Sequence, residues 1–298
     1  MDRRRALIVD AFAEEPLAGN PAGVVRDAEG LGEDQMVAIA RELGASETAF
    51  VGASDAADRR LRYFTPAGEI DLCGHATVAG HAHLFEDGAV DAGTHTFETN
   101  VGVLDAEIEP GGVVWMTVQH PEVREVVAGE SRVAEALGID PAAIVTEELP
   151  IAVASTGLPY LIVPLDYLSA LGGIDPDHDA IEALTAEFDA TGVYAFTFDT
   201  LDAASTLHGR MFAPSEGIPE DPVTGTASGA AGAYLRHAGA FDSMPEEMVF
   251  EQGHYVDRPG RVRVRVGAEI EVGGEAVTAL DGELRVPEGD DDGIIEAG

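Results

Sequence analysis

The chain of 298 residues contains no lysine: all 17 basic residues are arginine, set against 55 aspartates and glutamates, a formal net charge of −38. A field of that sign repels phosphate, which excludes a cationic nucleic-acid binder and disfavours docking on an anionic membrane. There is a single cysteine, Cys73. An internal disulfide and a cysteine-built zinc cluster are thereby excluded. No apolar run reaches the roughly 20 residues of a membrane helix; the best approach, Ile151 to Leu165, is broken by Pro159 and Pro164. The apolar stretch Ala6 to Asp10 behind Met1-Asp-Arg-Arg-Arg is too short for a secretory signal, so a cytoplasmic location is expected. Several signatures are also missing. There is no Gly-x4-Gly-Lys-Ser/Thr, no strand-linked Gly-x-Gly-x-x-Gly, no Gly-x-Ser-x-Gly and no His-Glu-x-x-His. Nucleotide enzymes, serine hydrolases and the common zinc hydrolases are disfavoured accordingly.

What is present is a globular composition: 45% of residues are hydrophobic, enough for a sizeable core despite the charge. The carboxylates are spread along the chain, and the acid-rich end Glu288 to Asp292 holds few of them. A surface of this kind suits molar salt, where the Debye length falls to about 3 Å and self-repulsion is screened. A halophile's cytosolic protein is the expected setting.

Short extended runs dominate the pattern, with a few helices between them. Strands are expected at Arg5–Asp10, Thr48–Val51, Arg59–Thr65 and Thr94–Glu98, and Val103–Glu109 faces Val113–Gln119 across the turn Pro110-Gly111-Gly112. Asp34–Leu43 and Asp177–Phe188 read as helices. In the second half, Ile151–Ser155, Leu161–Val163, Val193–Asp199 and Leu207–Phe212 read as extended. The end is strand-rich, at Met248–Gln252, Val262–Val266, Glu269–Val272, Ala276–Leu280 and Glu283–Val286. One internal echo organises all of this. The segment Gly74 to Leu84 aligns with Gly225 to Leu235 at an offset of 151, with five of eleven positions identical. Upstream, Phe64-Thr-Pro66 echoes Phe212-Ala-Pro214. A duplicated unit is the reading: a strand, a Phe-x-Pro turn, a polar loop, then a helix of small residues opening at glycine. Small residues all round a helix predict close wrapping by strands. Two units predict a cleft between them. Each helix start carries unpaired N–H groups and partial positive charge, so two facing starts form an anion site, suited to a carboxylate.

Five motifs in order resemble the phenazine-biosynthesis-like (PhzF) family of the diaminopimelate epimerase superfamily. They are Asp10-Ala-Phe-x4-Leu17-Ala-Gly-Asn-Pro-Ala22, Ser46-Glu-Thr-Ala-Phe-Val51, Phe64-Thr-Pro-x2-Glu69-Ile-x-Leu-Cys-Gly-His-Ala-Thr77, Glu220-Asp-Pro-Val-Thr-Gly-Thr-Ala227 and Gln252-Gly-x4-Arg258-Pro259. The resemblance implies an α+β fold of the diaminopimelate epimerase type. It has two pseudo-repeated, β-barrel-like domains, each around a central helix. The boundaries expected are residues 1–117 and 118–275, with strands near 276–298 returning to the first domain. The resemblance further implies an isomerase without cofactor or metal that shifts a proton on a small anionic carboxylate metabolite, working as a homodimer. By matching positions, Glu47 is the acid/base, and His75 and Asp221 line the same site. Asn20, Cys73, Gly74, Gly225 and Thr226 are the expected substrate contacts. The family's usual serine is replaced at Thr226, which keeps the hydroxyl and adds a methyl group.

Those residue types fit proton transfer at carbon. One carboxyl must take and return a proton, and fixed donors must face the charge that develops. A two-thiol racemase is excluded by the lone Cys73; a Cys73–Asp221 or Cys73–Glu47 pair stays open beside the simpler reading of a small buried residue. A metal hydrolase on His75, His81 and His83 is disfavoured, because residues two apart on a helix point to different sides. A non-catalytic small-anion-binding protein on the same fold is the alternative. The charge balance makes its own prediction. On dilution from molar KCl to about 0.1 M, the thermal unfolding midpoint should fall; a midpoint that holds or rises in circular dichroism melts would remove the halophile reading.

Overall fold

The computed structural model describes residues 2–118, 120–147 and 149–286. The acid-rich end Glu288 to Asp292, residues 287–298 of the expected returning segment, and Gln119 of the expected hairpin lie outside the described residues. The described residues form eighteen strands and six α-helices: α1 (Glu33–Leu43), α2 (Gly74–Glu86), α3 (Glu130–Leu137), α4 (Leu168–Gly172), α5 (His178–Glu187) and α6 (Gly225–Ala238). No helix among them is long and apolar enough to cross a membrane.

The same pairing scheme occurs twice. Strand Arg3–Ala11 pairs antiparallel with Asn20–Val25, which runs parallel to Thr48–Gly52 after the crossover through α1. In the second half, Ala152–Ser155 pairs antiparallel with Pro159–Pro164, which runs parallel to Gly192–Thr197 after α4 and α5. A strand leading to the central helix follows in each half, Arg59–Phe64 and Leu207–Ala213. Each folds back on a short strand before the helix, Glu69–Ile70 and Ile218–Asp221. Each is also joined in parallel by the first strand after the helix, Gly93–Thr99 and Met248–Gln252. The duplication expected from the echo is thus a duplication of topology.

Each central helix is sheathed by strands. α2 packs on Arg3–Ala11, Asn20–Val25, Thr48–Gly52, Gly102–Ile108, Val114–Thr117 and Ala276–Arg285; α6 packs on Glu122–Glu125, Ala152–Ser155, Pro159–Pro164, Gly260–Val266 and Ile270–Gly274. Every residue from Ala76 to Leu84 is buried, as are all from Ala227 to Leu235. A peripheral helix shows the contrast. α1 buries only the stripe Met36, Ile39 and Ala40, starts where Gln35 Oε1 accepts the Gly32 N–H at 2.9 Å, and stops at Gly44 with φ 70°. The halves join through Val114–Thr117 paired with Ile270–Gly274. In Gly260–Val266, Val262 and Val264 face the core, while Arg263 and Arg265 reach Glu247 at 2.9 and 3.0 Å.

Several elements depart from the sequence reading. The expected strands Ala276–Leu280 and Glu283–Val286 are one, Ala276–Arg285, paired along the whole of Arg3–Ala11 with a register shift between Ile8 and Val9. A continuous partner overrides the Asp281-Gly282 turn signal. The Gly-Asn-Pro segment opens a strand, because Pro21 has a neighbour on one side only; the parallel partner begins at Gly23. Helices α3 and α4 and the strands Glu69–Ile70, Glu122–Glu125 and Ile218–Asp221 are not among the expected elements, although α3 carries an apolar stripe of Val133, Ala134, Ala136 and Leu137 at helical spacing.

The wrapping makes a paired prediction. A methyl group added at Gly80 in α2 meets nothing closer than Leu61 at 3.9 Å, whereas one added at Gly232 in α6 lies 2.7 Å from Val264 and 3.1 Å from Val266. Both positions gain helix propensity as alanine. Gly80→Ala should stabilise by about 0.5–1 kcal/mol. Gly232→Ala should destabilise by about 1–2 kcal/mol, since rigid β-branched neighbours cannot yield. Urea unfolding of both variants checks the opposed signs.

Candidate active site

The start of α2 gathers three side chains. Cys73 is the extended residue that precedes the helix, and its carbonyl accepts both the Thr77 N–H at 3.0 Å and the Thr77 hydroxyl at 2.7 Å. Tyr63 on the neighbouring strand holds that hydroxyl at 2.6 Å. The Cys73 sulfur lies 3.4 Å from His75 Nδ1, and His75 Nε2 lies 3.4 Å from Glu47 Oε2. Glu47 reaches this point from just before strand Thr48–Gly52, with its carbonyl fixed by the Gly23 N–H at 2.9 Å. His75 Nε2 is buried without a hydrogen-bond partner, so its approach to Glu47 is an electrostatic contact.

The start of α6 supplies the opposite wall. Asp221 ends the short strand before the helix. One carboxylate oxygen accepts Asn20 Nδ2 at 3.0 Å, and the other accepts the Thr224 hydroxyl. Asn20 gives its other amide hydrogen to the Val223 carbonyl at 2.8 Å, so both donors of this buried amide hold the Asp221 loop. Gln252 Nε2 donates to the Asp221 carbonyl at 2.8 Å and to Thr224 Oγ1 at 3.2 Å. The Thr226 hydroxyl meets the Tyr160 hydroxyl at 2.8 Å. Gly225 is covered by Phe12: a methyl group there would lie 3.0 Å from the Phe12 ring. Space above Gly74, in contrast, is open.

A clamp from the second half fixes the loop that carries Asn20. Arg258 donates to the carbonyls of Ala18 at 2.8 Å and Gly19 at 2.9 Å, and to Asp10 at 2.6 Å. Asp10 is 1% exposed and also accepts the Leu17 N–H at 2.6 Å. Gly19 N–H bonds the Pro259 carbonyl at 2.9 Å. The turn before Arg258 needs Gly253: at φ 86° its Cα passes so close that a Cβ would lie 2.1 Å from the Arg258 carbonyl.

Charge in the cleft is concentrated and poorly solvated. Burial, reinforced by the neighbouring Glu47 charge, pushes Asp221 up to about 7 against the hydrogen bonds from Thr224 and Asn20. Burial, with the charges of Glu47 and Asp221, also lifts the Cys73 thiol well above its usual range, opposed by the Ala76 and His75 amides. Burial lowers His75, opposed by Glu47. Helices α2 and α6 are in contact, and Asn20 of the first half bonds Asp221 of the second, so the two helix starts lie together.

The eight residues expected at the site lie at or beside the two helix starts. Glu47, Cys73 and His75 cluster on one wall; Asp221, Gly225 and Thr226 form the other. Asn20 braces Asp221, and Gly74 leaves the cleft open. Tyr160 lies outside the motifs; Phe12, Thr224 and Gln252 stand within them but carry no expected role. Each acts by contact with a motif residue, which spacing does not encode. The other helix histidines stand apart. His81 bonds the Thr77 carbonyl at 2.9 Å and packs on Phe97, and His83 lies 3.3 Å from Thr278. A cavity of about 470 Å³ lined in part by Phe12, Glu14, His254 and Arg261 is lined by none of Glu47, Cys73, His75 or Asp221. The carboxylates, and not this void, mark the candidate site.

The architecture is that of the epimerase-like folds. A hydroxyproline epimerase from Agrobacterium vitis shares it with a TM-score of 0.60 over 95% of this chain and 91% of that one; at 14% identity the likeness is one of fold alone. The family follows from the sequence: the model of the phenazine biosynthesis-like protein matches residues 9–282, and the chain belongs to that family. The Bacillus anthracis protein of the PhzF family superposes with a TM-score of 0.88 at 33% identity, covering 96% of this chain and all of that one. The uncharacterized isomerase YfhB of Bacillus subtilis is 38% identical over 287 residues, 95% of this chain and 96% of the relative. The trans-2,3-dihydro-3-hydroxyanthranilate isomerase of Pseudomonas chlororaphis is 31% identical over 288 residues, 91% of this chain and 96% of the relative. The protein is an isomerase of this family.

The raised Asp221 sets a pH dependence. An unfolded aspartate ionises near 4, and the folded one near 7. Folding therefore holds the proton more tightly, so this group's stability contribution is complete below pH 4 and is lost as pH rises to about 7, by up to about 1.4 kcal/mol per pH unit. Asp221→Asn should remove that slope. Denaturant unfolding between pH 5 and 8 in molar KCl checks it, and an unchanged slope would show that Asp221 does not titrate there.

Proposed function

We propose that the protein is a cofactor-independent isomerase that shifts a proton between carbons of a small carboxylate-bearing metabolite. The observation that carries this is the facing of Glu47 and Asp221 across one cleft, with the second carboxyl pushed up to about 7 by burial and by the first. Glu47 is the acid/base: it takes a proton from one carbon and returns it to another. Its position 3.4 Å from His75 and outside any hydrogen bond with it leaves the carboxylate free for substrate. Cys73 donates its S–H to His75 Nδ1, so that Nε2 carries the ring hydrogen. Asp221, partly protonated near neutral pH, and His75 face the charge that develops on the substrate.

The helix starts supply the rest. The amides opening α2 and α6 hold the substrate carboxylate, and the open space above Gly74 admits it. Thr226, tied to Tyr160, presents a hydroxyl at the rim. The substrate belongs to the class of small anions exemplified by the hydroxyanthranilate-type compound of the Pseudomonas chlororaphis relative's name. The two repeat domains are residues 1–117 and 118–275, with Ala276–Arg285 returned to the first, and the working form is a homodimer in the cytosol of a halophile.

Glu47→Gln should reduce turnover by at least about 100-fold while leaving the circular dichroism spectrum unchanged. The assay is deuterium uptake from D2O in molar KCl, read by mass spectrometry on a panel of small carboxylates that includes the relative's substrate. A variant of full activity would overturn the role of Glu47. Ligand binding by both proteins with no exchange by either would instead favour the non-catalytic anion-binding protein.

A further inference from the structure

The cluster Glu47, Cys73 and His75 combines three ligand types in a small volume. One ligand atom from each lies within 4.8 Å of the others, and among the described residues no other group of three His, Cys, Asp or Glu side chains meets that condition. We propose that these three side chains form an inhibitory site for a soft divalent cation of the zinc type, which closes the cleft to substrate.

Three observations carry this. The spacing is the first. Tetrahedral zinc, with bonds of about 2.3 Å to sulfur and 2.0–2.1 Å to nitrogen and oxygen, separates its ligand atoms by about 3.3–3.6 Å. The sulfur stands 3.4 Å from His75 Nδ1 and a Glu47 oxygen 3.4 Å from Nε2; one ion takes one ring nitrogen, so the imidazole turns to bring the three ligand atoms to it. All the separations are within 4.8 Å, and side-chain rotation closes those wider than the tetrahedral spacing. The second is the orphaned nitrogen: His75 Nε2 is buried with no hydrogen-bond partner. A metal ion is one of the few partners that satisfies such an atom. The third is room for a further ligand, since beyond its chain neighbours Cys73 and His75 no side chain stands within 4 Å of the Cβ position at Gly74. Three protein ligands plus water is the pattern of an open zinc site.

Binding forms bonds to the Cys73 sulfur, one His75 nitrogen and a Glu47 oxygen; the thiol proton is released to solvent, and the ring hydrogen moves to the His75 nitrogen that the ion does not take. The thiolate and the Glu47 carboxylate together balance the +2 charge. The thiolate also sets selectivity. Zinc and cobalt are taken, while magnesium and calcium, which prefer oxygen ligands, are left to the carboxylates of the surface. The metal is no cofactor in this scheme. It occupies Glu47, the acid/base of the reaction proposed above, so it abolishes turnover. The inference uses the same side chains as that reaction but not its chemistry, and the two are tested separately.

The experiment is a titration of the full, tag-free chain in molar KCl, first stripped with a chelator and then given Co2+ alone. One equivalent should produce a near-ultraviolet thiolate-to-cobalt absorption together with tetrahedral d–d bands. Zn2+ should bleach both, and a large excess of Mg2+ should not. Cys73→Ser should abolish the charge-transfer band and weaken Zn2+ binding about tenfold or more. Glu47→Gln should keep the band but also weaken binding, and His120→Ala, at an exposed position, should change neither. Cobalt binding without a thiolate band, or affinity unchanged in both site variants, would refute the proposal. If the band appears but no substrate is ever exchanged, the metal site stands and the isomerase mechanism falls. Exchange without metal binding gives the reverse.

Discussion

The Arg258 guanidinium is the contact on which the cleft depends. It reaches from the second half to the Ala18 and Gly19 carbonyls and to buried Asp10 in the first. A carboxylate 1% exposed needs a charged partner, since an unpaired one costs about 3–5 kcal/mol. The pair thus fixes the Leu17–Asn20 loop against the Gln252–Pro259 turn. Asn20, next along the chain, then reaches Asp221. One ion pair in this way sets the distance between two walls that share no continuous backbone.

With the walls fixed, the electrostatics of the site follow. Each helix start offers amide hydrogens and partial positive charge. Each is also walled by packing that excludes water: Phe12 covers Gly225, and Tyr63 and Thr77 pack under Cys73. In that setting burial and the Glu47 charge raise the cost of ionising Asp221. The same crowding holds Cys73 as a thiol and His75 neutral. The cleft proposed for proton transfer is therefore also the one in which the proposed metal ion would displace the thiol proton.

The acidic surface poses a separate problem, met by arginine alone. Arg5 bridges Asp87 and Asp281, Arg62 takes Glu69 in a two-pronged pair, and Arg265 reaches Glu109 and Glu247 while lying 3.6 Å from the Trp115 ring centre. A planar, forked cation can join two carboxylates at once, which lysine's point charge does less well. These pairs tie strands distant in sequence, such as Arg3–Ala11 to Ala276–Arg285.

Much was legible in the sequence because the signals are local. Small residues all round two segments marked the buried helices, and their repetition at an offset of 151 marked the duplicated topology. Glu47, His75 and Asp221 were legible as members of ordered motifs. What the sequence could not hold is contact between distant positions. The strand Ala276–Arg285 is single because its partner Arg3–Ala11, at the other end of the chain, is continuous, which the Asp281-Gly282 pair alone contradicts. Asn20 braces a carboxylate, and Tyr160 ties up the Thr226 hydroxyl, only because folding sets them side by side. Residue type and spacing determine which segments bury themselves. Tertiary packing alone decides which buried charges meet, and so which carboxyl carries a proton near neutral pH.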